Sequence, residues 1–454
     1  MKYRNIYMIG IGGIGMSAIA RYFHAKGHEV SGYDRTPSEI TASLAAEGIA
    51  VHFDERPELI PGDPSDTLVI YTPAIPAENR ELVFVREKGY RLLKRSRVLG
   101  EIAEGKKTIA VAGTHGKTTT STMTGHIFQA SGTGCDAFLG GISKNYGTNL
   151  LLGDSGIVVA EADEFDRSFL QLFPDTAIIT SIDADHLDIY HDYAHVQEAF
   201  GEFAAQTGRC LILKEGVDIG PAPVKATVYR YSYDNAGSDF YASRIRTEPG
   251  GYFVFDLNYP GGTVEDCRMG VPGRLNAENG IAAATAALLN GISPEKVKEA
   301  LGTFMGVKRR LDMHLNTAKT AYIDDYAHHP KEIEAAIRSI RDIFPDRKLT
   351  AVFQPHLYTR TRDFAEGFAE ALSLADRIIL LDIYPARELP IEGITSKIIF
   401  DRIKTGEKKL ITRTELMSCL ENEDIDVLVT FGAGDIDRFT EAITEMLEKR
   451  SGKC

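Results

Sequence analysis

The sequence predicts an α/β fold in three domains, and three observations carry that expectation. At 454 residues the chain exceeds a single ordinary core. Short apolar runs alternate with helix-period segments over most of its length, as strands and crossover helices do in parallel sheets. Two glycine-rich turns, at 10–15 and 113–116, each join an apolar run to a helical segment. The expected domains are 1–103, 104–310 and 311–454.

Composition excludes several classes. Apolar residues make up 43% and charged residues 25%, ordinary for a soluble globular chain. With 51 basic against 64 acidic residues the net charge is −13, which argues against a nucleic-acid or anionic-membrane partner. Basic islands at Lys94-Arg95-Ser96-Arg97, Lys308-Arg309-Arg310 and Arg360-Thr361-Arg362 read as solvated surface or as seats for small phosphorylated ligands. Five scattered cysteines without a C-x-x-C pair suggest reduced thiols in a cytoplasmic protein. Lys2 and Arg4 before the apolar run from Ile6 to Ala20 imitate a signal peptide, but the glycines within that run are the punctuation of a nucleotide-binding turn. No other run approaches the ~20 apolar residues of a membrane span.

Residues 5–34 read as a strand (5–9), the turn Gly10-Ile-Gly-Gly-Ile-Gly15, a helix (16–26) and a strand (29–33) ending at Asp34. The spacing fits G-x-G-x-x-G with an acidic residue about 20 positions on, a Rossmann-like turn that seats a pyrophosphate on a helix N-terminus. A strand at 67–71, a helix at 78–87 and a polar stretch at 95–107 complete the first domain.

The second domain starts with an apolar strand, the loop Gly113-Thr-His-Gly-Lys117 and a helix opening on Lys117, Thr118 and Thr119. Such a loop turns backbone N–H groups inward, sets a helix dipole behind them and adds a lysine for the outer phosphates. Val111 stands where the full G-x-x-x-x-G-K-T pattern has glycine, so this is a shortened triphosphate cradle. A strand at 156–160 delivers Glu161-Ala-Asp-Glu164, and one at 177–182 delivers Asp183-Ala-Asp-His-Leu-Asp188. Carboxylates at strand ends beside a phosphate cradle stand where nucleotide enzymes hold Mg²⁺. Glu161 and His186 are the candidates, while turn capping accounts for at least two of Asp183, Asp185 and Asp188. Residues 210–270 suggest an antiparallel β appendage. In the helix at 274–291, Asn276 and Asn279 share a face of the first turn, as caps or as amides for a base or its phosphates. Residues 306–311 read as a hinge.

The third domain, again Rossmann-like, has strands expected at 320–325, 349–353, 377–382 and 426–430, with helices at 330–343 and 363–374. Asp325, Tyr326, His328, His329, Arg360, Arg362, Asp382 and Glu388 lie at its strand-to-loop junctions, where open α/β sheets bind ligands. Adjacent His328 and His329 point apart, so a structural role is expected for them rather than a metal pair.

Together these motifs resemble the Mur ligases of peptidoglycan synthesis over essentially the whole chain. The resemblance rests on Gly-Ile-Gly-Gly-Ile-Gly-Met-Ser17, the cradle, Glu-Ala-Asp-Glu164, Asp-Ala-Asp-His186, Gly-Arg-Leu-Asn-Ala-Glu-Asn279, Arg-Arg310, Asp-Asp-Tyr-Ala-His-His-Pro330 and Phe-Gln-Pro-His-Leu-Tyr-Thr-Arg360. It implies ATP phosphates on Gly113, Thr114, His115, Gly116, Lys117, Thr118 and Thr119, with Mg²⁺ held by Thr118, Glu161 and His186. Asn276, Asn279, Arg310, Asp325 and Tyr326 would contact the nucleotide. A uridine diphosphate sugar would sit on Gly10, Gly12, Gly13, Gly15, Met16 and Ser17 near Asp34, with Arg360 and Arg362 also toward substrate. Within the family the motifs are similar to those of the alanine-adding branch, which implies UDP-N-acetylmuramate and L-alanine as substrates and a monomer or weak homodimer. A murein-tripeptide recycling ligase shares the same motifs; a non-catalytic nucleotide-sugar sensor and a NAD-dependent oxidoreductase are the rival classes. Two departures stand out: residues 189–206 contain no lysine to serve as the carbamylated bridge some relatives use, and Leu357 replaces an arginine common in the alanine-adding branch.

Overall fold

Apolar runs of four to six residues, too short for helices and bounded by turns, become the central strands of three sheets. The computed structural model describes residues 3–183, 187–386 and 388–452. The first sheet holds β1 (Asn5–Ile9), β2 (Glu29–Tyr33), β3 (Ala50–His52), β4 (Thr67–Tyr71) and β5 (Arg91–Lys94), parallel throughout and ordered 3-2-1-4-5. β1, β2 and β4 match their expected bounds, whereas the short strands β3 and β5 escaped notice. The supposed polar stretch after β5 is in fact a helix, Arg95–Ala103. Its buried Val98, Leu99, Ile102 and Ala103 recur at helical spacing among polar neighbours that disguised them.

The second sheet comprises β6 (Lys107–Ala112), β7 (Asp136–Phe138), β8 (Leu150–Leu151), β9 (Ile157–Glu161), β10 (Thr176–Ile179), β11 (Cys210–Lys214), β12 (Thr227–Ser232), β13 (Phe240–Glu248), β14 (Tyr252–Tyr259) and β15 (Gly262–Arg268). Their order is 15-14-13-12-11-10-6-9-7-8, so β6 runs between β10 and β9, parallel to both. The β-rich stretch extends this sheet: β12 pairs in parallel with β11, and β13 with β12. β14 and β15 follow β13 across short turns and continue the sheet in that order.

The third sheet contains β16 (Asp312–Asn316), β17 (Ala321–Asp325), β18 (Leu349–Phe353), β19 (Arg377–Leu380), β20 (Glu407–Leu410) and β21 (Val427–Phe431), ordered 16-17-21-18-19-20. β16 alone of these six is antiparallel to its neighbour. The helix expected at 363–374 is two, Tyr358–Asp363 and Ala365–Leu372, interrupted at Phe364.

The chain divides into two compact units, residues 1–244 with 255–268 and 278–305, and residues 245–254 with 269–277 and 306–454. In the first unit one apolar cluster joins both sheets, with Ile6, Met8, Ile19 and Val98 from one side and Ala110, Phe138 and Val158 from the other. The Tyr22 and Phe138 rings meet at 5.3 Å. A buried polar link crosses the same seam: Arg21 donates through Nη1 to Asn149 Oδ1 (2.5 Å) while its other nitrogens hold Glu47 and Ser43. Asn149 Nδ2 in turn donates to the Ile14 carbonyl (2.6 Å) and the Ser17 hydroxyl (2.9 Å). Among the described residues no helix is long and apolar enough to cross a membrane.

Asn149 is fully buried and satisfies three polar groups on the first sheet's helix Ile14–Ala25. Asn149→Ala removes these three bonds and leaves Arg21 Nη1 without its acceptor, so a loss of about 3 kcal/mol is expected in denaturant unfolding; a loss within measurement error would show that water replaces the link.

Candidate active site

The first glycine turn is shaped by backbone bonding. Gly10 and Ile11 donate to the Tyr33 carbonyl at 2.7 and 3.0 Å, which folds the chain back over β2. Asp34 Oδ2 accepts from the Gly12 amide (2.8 Å) and Oδ1 from Thr36 (3.1 Å), so this carboxylate is turned onto the loop itself. The helix Ile14–Ala25 that follows has Gly13 at its N-cap, no capping side chain and no acidic residue in its first turn. Its first amides and its dipole are thus left uncapped by any side chain. Arg95 crowds Gly15, with Nη1 2.7 Å from where a Cβ would stand, and pairs with Asp163 at 3.3 Å. Met16 and Ser17 are buried; the Ser17 hydroxyl donates to the Ile14 carbonyl and receives Asn149.

The second turn is tied down from β10. Thr114 N–H donates to the Ser181 carbonyl, His115 N–H to Ser181 Oγ (2.9 Å), and the Thr180 hydroxyl to the His115 carbonyl. Asp183 N–H closes the loop onto Thr114 Oγ1 at 2.8 Å. Gly113 has φ of +135°, and a Cβ there would stand 2.1 Å from Thr180 Oγ1, so only glycine lets the loop lie against β10. Gly116 (φ +82°) similarly admits Asn279 Oδ1, which also accepts from Thr120 Oγ1 at 3.2 Å. Helix Lys117–Ala130 begins here without a side-chain cap. Its threonines are poor helix formers, but Thr122 and Thr124 donate to carbonyls four residues back and nearly the whole helix is buried.

Lys117 lies folded across this loop. Its Nζ reaches the Gly113 carbonyl at 2.6 Å, both Glu164 oxygens at 2.9 and 2.8 Å, and the Thr114 carbonyl at 3.3 Å. Burial opposes the lysine's charge, but Glu164, Asp163 and Glu161 outweigh it and hold its pKa above the ordinary value. Burial pushes the Glu164 carboxyl up, against the pull of Lys117. Glu161 ends β9, beside β6 in register with Val111. Gly140 makes room for it, since a Cβ there would stand 2.2 Å from Glu161 Oε2. That oxygen is buried with no hydrogen-bond partner among the described residues, which fits a carboxylate that binds a cation. Thr118 is buried at the helix start, and His186 lies outside the described residues, as does Asp185. Among the described residues no three His, Cys, Asp or Glu side chains form a ready cage, and Mg²⁺ seldom needs one beside substrate phosphates.

In the second unit Arg309 (φ +62°) and Leu311 (φ +43°) bracket Arg310 with strained, non-glycine backbone. Arg309 is anchored on Asp324 (3.2 Å), Asp437 (3.1 Å) and the Gly432 carbonyl. The Arg310 guanidinium makes no hydrogen bond among the described residues and lies 5.2 Å from the Tyr326 ring centre. Asp325 accepts from the amides of Leu311 (2.6 Å) and Ala327 (2.7 Å). Asn276 is buried, with Nδ2 on the Pro272 carbonyl. His329 caps helix Pro330–Ile343 in a capping box with Glu332, and His328 packs edge-on to Tyr326. Arg360 is half-buried near His328, whereas Arg362 is exposed and paired with Asp363; Asp382 is exposed. Leu357, at φ +68°, starts helix Tyr358–Asp363, whose first amides are capped by Glu388. Sequence reasoning missed the roles of Glu164, Asn149, Gly140 and Arg309. For Glu164 the signal was its place in the same acidic motif as Glu161.

Two phosphate-type turns on successive α/β sheets, a lysine across the second and a cation-seeking carboxylate beside it define a nucleotide-dependent α/β protein of three domains. Three family descriptions match in chain order: "Mur ligase family, catalytic domain" over residues 5–107, "Mur ligase middle domain" over 111–287 and "Mur ligase, glutamate ligase domain" over 309–444. The UDP-N-acetylmuramate--L-alanine ligase of Phocaeicola vulgatus is 50% identical over 98% of this chain and 99% of its own. That of Porphyromonas gingivalis strain W83 is 49% identical with the same coverage. Among solved structures, the UDP-N-acetylmuramate-alanine ligase of Thermotoga maritima matches with a TM-score of 0.83 at 26% identity, covering 98% of this chain and 99% of its own. A murein peptide ligase of Psychrobacter arcticus reaches 0.71 at 22% identity, covering 98% of each chain, a likeness of fold. The chain belongs to the Mur ligase family.

Two opposed titrations meet around Tyr326. Burial pushes Asp325 up from 3.8 to about 6, against Arg310. Burial, with Arg360 and Arg310 in support and Glu332 against, pushes His328 down from 6.5 to about 4. Between the two Asp325 values the folded chain holds a proton the unfolded chain has released, so stability falls as pH rises. Between the two His328 values the unfolded chain holds the extra proton, so stability rises with pH. In His328→Gln the Asp325 slope stands uncompensated. From pH 4.5 to 6.0 the variant is expected to lose roughly 2 kcal/mol relative to the parent in denaturant unfolding; parallel pH profiles would refute this.

Proposed function

We propose that the protein joins L-alanine to the lactyl carboxylate of UDP-N-acetylmuramate, converting ATP to ADP and phosphate, in peptidoglycan synthesis. The observation that carries the proposal is the meeting of Lys117, an uncapped helix N-terminus and the Glu161 carboxylate, whose Oε2 has no hydrogen-bond partner among the described residues, at the ends of β6 and β9. The two relatives at about half identity, both described as adding L-alanine, support the choice of substrates over a murein tripeptide.

A carboxylate cannot lose oxide, so it must first be activated. One lactyl oxygen attacks the γ-phosphorus of ATP, the bond to the β-phosphate oxygen breaks, and ADP leaves an acyl phosphate. This step is mostly positioning and electrostatics. Lys117 and the first amides of helix Lys117–Ala130 take up the charge of the transferring group. Thr118 and Glu161, with His186 as the resemblance implies, would hold Mg²⁺, which supplies positive charge to the phosphate oxygens. The alanine nitrogen then attacks the carbonyl carbon and gives up its proton, and the tetrahedral intermediate expels phosphate. The turn at Gly10–Gly15 would carry the diphosphate of the sugar nucleotide, with Asp34 shaping that turn. Asn276, Asn279, Arg310, Asp325 and Tyr326 serve the nucleotide in this reading, and Arg360 and Arg362 the acceptor side. We place the protein in the cytoplasm, acting as a monomer or weak homodimer.

Phosphate release is expected to require UDP-N-acetylmuramate, L-alanine, ATP and Mg²⁺ together, with L-alanine preferred over the tripeptide L-alanyl-γ-D-glutamyl-meso-diaminopimelate. Lys117→Ala is expected to lower kcat by about a hundredfold or more. Turnover of ATP indifferent to the sugar nucleotide would overturn the assignment.

A further inference from the structure

Lys117 is fully engaged by groups of the protein itself. An ammonium has three donors. Its three hydrogen bonds, to the Gly113 carbonyl at 2.6 Å, Glu164 Oε1 at 2.9 Å and the Thr114 carbonyl at 3.3 Å, use all of them, and Glu164 Oε2 adds an ion-pair contact at 2.8 Å. Glu164 is a firm partner: its side chain is 3% exposed, and the buried Tyr190 hydroxyl donates to its backbone carbonyl. The left-handed Asp166 and Arg167 that follow turn the chain sharply, and Arg167 N–H adds a second bond to the same carbonyl at 3.0 Å. Lys94 fixes Asp166 at 2.9 Å and Arg95 fixes Asp163 at 3.3 Å, so the acidic segment is braced on both sides of Glu164.

We propose that Glu164 is a positioning residue that competes with the nucleotide's phosphate for Lys117 and thereby sets how tightly ATP and ADP are held. The inference rests on the reading of the Gly113–Thr119 loop as the ATP site. A phosphate oxygen gains a donor of the ammonium only when one of these bonds opens, and Glu164 is the one charged group among the three acceptors, so it is the competitor for the lysine's charge. The apparent affinity is then the intrinsic one multiplied by the fraction of molecules in which the lysine is released. After phosphoryl transfer the same carboxylate draws the lysine back from ADP and favours product release.

The test is titration calorimetry of the full-length protein with ADP in EDTA, so that no metal contributes. Glu164→Gln keeps the shape but removes the competing charge. It is expected to bind ADP about tenfold more tightly, and in turnover its KM for ATP falls together with kcat because ADP leaves slowly. A merely structural role moves affinity the other way, since a damaged loop binds more weakly. Should the Gln variant fail to fold, Tyr190→Phe loosens the Glu164 backbone while keeping the charge pair, and a smaller gain in ADP affinity is expected. Unchanged or weaker ADP binding in the folded variant overturns the proposal. Failure of the parent protein to bind ADP at all overturns the underlying ATP-site reading instead.

Discussion

The register of three neighbouring parallel strands governs the chemistry of the first unit. β9, β6 and β10 pair so that Glu161 stands opposite Val111, and Ile179 opposite Ala112. Their carboxyl ends are therefore nearly level, and a carboxylate, a glycine loop and the Thr180-Ser181 hydroxyls emerge side by side. A one-residue slip of β9 would turn Glu161 to the other face of the sheet. The glycines at 113, 116 and 140 then serve one purpose, which is to let backbone and charged groups approach where a Cβ would collide.

Electrostatics in this region is a matter of closely matched opposing charges. Glu161, Asp163 and Glu164 face Lys117 and Arg95, an arrangement with one more negative charge than positive. Such a centre attracts a divalent cation while keeping a lysine protonated despite its burial. In the second unit the same economy takes another form, because burial acts in opposite directions on a carboxyl and an imidazole and the two effects nearly cancel.

Much of this was legible in the sequence because it is local. The apolar runs of β1, β2, β4 and β18 gave their own ends, and the Gly-Thr-His-Gly-Lys loop announced its strand and helix. His115 ties the loop to Ser181 and Thr180 through its backbone amide and carbonyl, as any residue could, while its ring brings Nε2 to 3.4 Å from Asp183 Oδ2. What stayed hidden is non-local or masked by composition. Asn149 meets Arg21 128 positions away, and Glu164 meets Lys117 across 47. Helix Arg95–Ala103 was lost among its charges, and the strain flanking Arg310 depends on anchors more than 100 residues off at Gly432 and Asp437.

The core common to the first two sheets also governs how the protein is made. Helix Ile14–Ala25, which covers the first sheet, packs in turn against β7 and β8, the second of which ends at Leu151. A ribosome adding about 5–20 residues each second takes roughly 8 to 30 seconds to reach that point. Until then the first sheet, though complete in hydrogen bonds by Lys94, keeps part of its apolar surface uncovered. Between Lys94 and Leu151 the growing chain thus presents an apolar helix face that the finished protein hides.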